Sequence, residues 1–62
     1  MFNAKAASDF LMKKVLAADT VSKISAIEID YTNQLDQLEK ADPALYEKVS
    51  NAIDARRTAL NK

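Results

Sequence analysis

The side chains able to do chemistry here are carboxylates, lysines, two arginines, a few hydroxyls and two tyrosines, with no histidine, cysteine or glycine. Proton transfer, nucleophilic attack and charge stabilisation need such groups gathered in a sheltered pocket. The nearest approaches to a pair are Asp36 with Glu39 and Asp19 with Ser22, each one helical turn apart. Acids at that spacing on a helix surface serve solubility. An ordinary zinc site lacks its ligands without Cys or His. The calcium loop needs alternating Asp or Asn, a central glycine and a late Glu, and neither Glu28-Ile29-Asp30 nor Asp36-Gln37-Leu38-Glu39 resembles it. There is no glycine loop for phosphate and no nucleophile elbow. The expectation is no enzyme, no cofactor and no metal.

Arg56 breaks the pattern around it, falling in the middle of an apolar stripe made by Val49, Ala52, Ile53 and Leu60. In an antiparallel register drawn from the apolar spacing, Arg56 lies level with Glu28. An ion pair between Glu28 and Arg56 across the hairpin would satisfy both. The functional alternative turns Arg56 outward beside Arg57, where the two could fork onto a partner's carboxylate or phosphate.

The elements that must position these residues are helices. Without glycine, and with Pro43 the only proline, the chain has little turn or strand punctuation. Val21, Ile24, Ile27, Tyr31, Leu35 and Leu38 recur at intervals of three and four, one face of a helix. Asp42 is suited to cap a new helix and Pro43 to open it, and Leu45, Val49, Ala52, Ile53, Ala59 and Leu60 line its apolar stripe, with Tyr46 at the edge, suited to packing back on Ala41. Two such helices joined at Ala41-Pro43 predict an antiparallel helical hairpin.

Upstream, Ala4, Ala7, Leu11, Val15 and Ala18 form a narrower stripe whose small residues permit close helix approach. Asp19-Thr20 offers a helix start, so this segment either breaks near Asp19 or continues into the next helix. The predicted fold is all-α, one domain over residues 1–62, a small bundle of two or three helices at about 3–18, 20–40 and 43–61. A chain of 62 residues buries only about 60% of its unfolded surface, and with no disulfide or zinc to staple it, idealised packing or association must supply stability.

Nine bases balance nine acids, but unevenly along the chain: residues 24–47 hold one base and six acids. An up-down-up path gathers Lys13, Lys14, Lys23, Arg56, Arg57 and Lys62 at one pole, and Asp36, Glu39, Asp42 and Glu47 at the other. Complementing the helix dipoles is the simpler reading of that split. A nucleic-acid accessory protein using the basic pole is an alternative, weakened by zero net charge and the lack of aromatics interleaved with the bases. No helix-turn-helix spacing is present.

The stripes leave Phe2, Phe10, Leu16 and Ile29 without a partner inside the chain. Single exposed apolar residues are ordinary, but four on so small a surface point to an interface. With Lys14 and Arg57 beside them, Phe2, Phe10, Leu16 and Ile29 are the candidate partner-binding residues, Phe10 foremost. The sequence thus points to a small protein-binding module, an adaptor or inhibitor of a larger protein, whose size suits an accessory or phage-type regulator. The alternative from the structural class is a homodimer built on a second apolar face. The longest apolar run near the N-terminus, Val15-Leu16-Ala17-Ala18, is too short for an export signal or a membrane span, and a cytoplasmic location is expected.

Overall fold

The structure, a computed structural model, describes residues 2–61. Four helices follow one another: α1 (Ala4–Ala17), α2 (Val21–Asp30), α3 (Thr32–Ala41) and α4 (Pro43–Leu60). No strand occurs among the described residues. The expectation was two or three helices, and the fourth arises because the stretch assigned to one helix from 20 to 40 is interrupted at Tyr31. Lys62, placed above at the basic pole, lies outside the described residues.

Three of the helix starts carry side-chain caps. Asn3 accepts from the amide of Ala6 at 3.0 Å, Thr20 from Lys23 at 3.1 Å and Asp42 from Leu45 at 3.2 Å, each satisfying an amide that the helix cannot. Between α1 and α2 the backbone is extended at Ala18 and Thr20. α3 has no side-chain cap: Tyr31 N donates to Ile27 O at 3.0 Å, closing α2, and Leu35 N to Tyr31 O at 2.9 Å, opening α3.

The interruption at Tyr31 has a local cause. The Thr32 hydroxyl donates to the carbonyls of Glu28 at 2.6 Å and Ile29 at 3.0 Å. Those oxygens are the acceptors that the amides of Thr32 and Asn33 take in a regular helix, so the side chain competes with the backbone and bends it. Tyr31 absorbs the bend at φ −111°, ψ 22°.

The core joins Leu11, Val15 and Ala18 of the first segment to Ile24 and Ile27 of α2, Leu38 of α3, and Val49 and Ile53 of α4. Five of these, Leu11, Val15, Ile24, Leu38 and Val49, are wholly excluded from solvent. Each side chain so buried contributes about 1.5–3 kcal/mol. Ser8, absent from the stripe read in the sequence, is buried with them. It continues the row of small residues through which α1 lies against α4 and α3. Ala59, assigned to the α4 stripe, is exposed instead.

Direction follows from pairs of residues that meet. Arg56, near the end of α4, reaches Ala18 just past the end of α1, so these two helices run the same way. Phe10 meets Tyr31, whereas Phe2, about two turns earlier, shares a groove with Gln37. α3 therefore runs against α1.

Candidate docking groove

Phe10 lies off the buried stripe of α1, and the bend at Tyr31 gives its ring something to rest on. The two rings meet edge to face, 5.4 Å between centroids at 82°, the orientation their quadrupoles favour. Lys14, one turn along α1, holds its ammonium 5.4 Å from the centroid of the Phe10 ring, a cation–π contact of about 0.5–1 kcal/mol at an exposed site. Phe10 remains 41% exposed, so these contacts orient the ring without covering it.

From Phe10 back to the N-terminus, the space between α1 and α3 is an open groove of about 440 Å³. Its apolar lining is Phe2, Ala6, Ala7 and Phe10, and its polar lining is the amides of Asn3, Gln34 and Gln37. The alanines explain the depth, since a larger side chain at either position would fill the space. Phe2 is half-buried, packed against the core from one side. The sequence reading left Phe2 and Phe10 unpartnered; the structure gives each an intramolecular contact and brings both to one groove, with Lys14 at its end.

The other residues picked out in the sequence do not join it. Leu16 is 65% exposed and Ile29 73% exposed, neither lining the groove. Arg57 is engaged: its guanidinium pairs with the Glu28 carboxylate, and lies 3.8 Å from Asp54. The cross-helix pair expected between Glu28 and Arg56 is therefore made one position later, by Arg57. Arg56 instead donates its Nε–H to the carbonyl of Ala18 at 3.0 Å. That oxygen follows the last turn of α1, where a cation also meets the negative end of the helix dipole. Half-buried at the centre of an apolar stripe, Arg56 ties the ends of two helices together. Tyr46 is half-buried against the core.

The basic pole is neutralised only in part. Lys23 pairs with Asp19 at 2.7 Å. The Asp19 carboxyl is held below its ordinary pKa by the hydrogen bond and charge of Lys23, with a smaller contribution from Arg56. Of the pole's described members Lys13, Lys14 and Arg56 have no acid within ion-pair distance among the described residues, and Arg56 is engaged by the Ala18 carbonyl instead. No group of three acids is placed to hold a metal ion among the described residues, and no described helix is long and apolar enough to cross a membrane.

The groove was missed in the sequence because Gln34, Gln37, Ala6 and Asn3 carry no signal of their own. The available signal was the phase of Phe10, which leaves the α1 stripe on the same side as Lys14. Compared with protein-family models, curated proteins and solved structures, the chain matches none of them.

Proposed function

We propose that this chain is a non-catalytic interaction module that docks on a larger protein, as an adaptor or as an inhibitor that acts by occlusion, and that its docking face is the Phe10 side of α1. The observation that carries this reading is the 41% exposure of an aromatic ring already fixed in orientation by Tyr31 and Lys14. Interfaces are anchored by a few such side chains, and a ring held in place loses little entropy on binding. Around it the lining offers apolar contact and amide hydrogen bonds, not groups that move protons at neutral pH. A chain of 62 residues acts on a larger protein most simply by covering part of it.

Two measurements test this. Sedimentation equilibrium from low to high micromolar should give the monomer mass of 6.9 kDa. A dimer persisting at the lowest concentration and abolished by Phe10→Asp would replace docking on a foreign protein by self-assembly. The monomer is then used to capture proteins from its source cells, and the captured protein is purified and recombined with it. A defined-stoichiometry complex lost in Phe10→Asp, but kept in a Leu16→Ser, Ile29→Ser double variant, supports the reading. A complex indifferent to Phe10 sinks it.

A further inference from the structure

We infer that the groove between α1 and α3 takes an acidic peptide segment, a stretch of a partner protein with a large apolar side chain beside aspartate or glutamate; this rests on the docking reading above and names the chemistry of its partner. Three observations converge. The apolar lining has alanine at its centre and phenylalanine at both ends, Phe2 and Phe10, and its volume of about 440 Å³ suits a few side chains and not a whole helix bundle. The walls carry three primary amides, Asn3, Gln34 and Gln37. Gln34 and Gln37 each offer both a donor and an acceptor, the pair of groups that a peptide backbone presents, while Asn3, whose Oδ1 caps the Ala6 amide, adds its NH2 as a donor.

The third observation is charge. None of the lining residues is ionised, so nothing in the groove pairs with or repels a ligand charge. At the Phe10 end stands Lys14, held over the ring and not paired with any acid among the described residues, with Lys13 beside it in the same condition. The other bases near that end of α1 are already bound: Lys23 to Asp19, Arg57 to Glu28, Arg56 to a carbonyl. An apolar groove that ends in two unpaired lysines is complementary to an apolar residue followed by carboxylates. A basic segment would meet like charge there, and an uncharged one would gain nothing from the two ammonium groups. A free monocarboxylate lacks the backbone that the amides address.

The test selects peptides without presuming their sequence. A library of random 12-residue peptides displayed on phage is selected on the immobilised full chain, and the recovered peptides are synthesised and bound in solution by fluorescence anisotropy. Enrichment of Asp or Glu next to Leu, Phe or Trp is expected. Affinity should fall at least tenfold in Ala6→Glu, which places bulk and negative charge on the floor without touching the core. It should fall several-fold in the Lys13→Gln, Lys14→Gln double variant, and weaken with added salt in the parent only. Phe10→Ser should also lose binding; if that variant unfolds, Ala6→Glu and the lysine pair still decide. Peptides that are neutral or basic overturn the inference. So do peptides whose affinity depends on Leu16 or Ile29 and ignores Ala6, although these leave a docking module of another face standing. Recovery of no binder overturns the groove assignment, while the capture experiment separately judges the docking reading.

Discussion

The two flanks of α1 are built on opposite terms. At its C-terminal end, facing α2 and α4, polar groups close the structure: Arg56 on the Ala18 carbonyl, Arg57 on Glu28, Lys23 on Asp19. Along its N-terminal half, facing α3, no ion pair crosses the gap among the described residues. An open groove lies there instead, with amides on its walls and an aromatic ring at its lip. Both flanks share one core and one set of helices, so the difference lies in the side chains along each edge: polar groups that meet one another on one, alanines and uncharged amides on the other. Where those side chains satisfy one another the surface is complete, and where they do not it is available to something else.

The most severe way to break this contrast is to remove what both flanks depend on. Leu38 is the one fully buried side chain of α3, and Leu38→Ala should cost about 2–5 kcal/mol. A domain of this size has a total stability of about 3–9 kcal/mol, so urea unfolding followed by circular dichroism should show a much lower midpoint or no cooperative transition. An unchanged midpoint would mean that α3 contributes little to the core and that the groove has no fixed wall. Ser8→Leu attacks the same junction by overfilling it. Ser8 is 2% exposed on the face of α1 that meets its neighbours, and the added volume should cost about 1–3 kcal/mol, with Ser8→Ala far milder.

A sharper comparison sets one polar residue from each flank side by side. Arg56→Ala removes a charged hydrogen bond from a half-buried carbonyl and should cost about 1–2 kcal/mol. Gln34→Ala, on the open flank, should stay within about 0.5 kcal/mol of the parent. Equal costs would show that Gln34 closes its flank as Arg56 closes the other, and that the groove is merely a crevice. The Glu28 and Arg57 pair ranks below both. It is 34% exposed on the arginine side and 42% on the glutamate side, and a double-mutant cycle with Glu28→Gln and Arg57→Ala should give a coupling of about 0–1 kcal/mol.

These residues also show how far the sequence could be read. Helical class follows from the absence of glycine and from apolar positions such as Ile24, Ile27, Leu38, Val49 and Ile53, whose intervals of three and four survive any detail of packing. The bend at Tyr31 does not, because the apolar stripe runs through it unbroken; only the competition of the Thr32 hydroxyl for two carbonyls marks it, and short polar residues make that bond in many helices that stay straight. The exchange of Arg57 for Arg56 is a matter of register between α2 and α4. A register drawn on straight helices sets Glu28 level with Arg56, and one residue of slip turns a helix by about 100°, enough to move the pair from the stripe to its edge. Phe10 could be picked out by its phase, but a groove is a property of two helices. Its far wall, Gln34 and Gln37, reads in sequence as ordinary solvated surface.

The smallest expected effect tests whether the closed flank is held electrostatically. Asp19 has its carboxyl pKa lowered first by the hydrogen bond and charge of Lys23 and then, more weakly, by Arg56. A carboxyl whose folded pKa lies below its unfolded value of about 3.9 adds stability above that value, and loses it as pH falls through the lower, folded value. The gain is therefore full at neutral pH and vanishes only in acid. Because the group is fully exposed, the contribution is minor and salt should erode it. Titrating the Asp19 carboxyl carbon by NMR should give a midpoint below the ordinary range, moving up in Lys23→Ala and by a smaller step in Arg56→Ala. A midpoint that ignores Arg56 would mean the arginine acts at this end of the molecule through its bond to the Ala18 carbonyl alone, and that the closed flank is held by geometry and not by field.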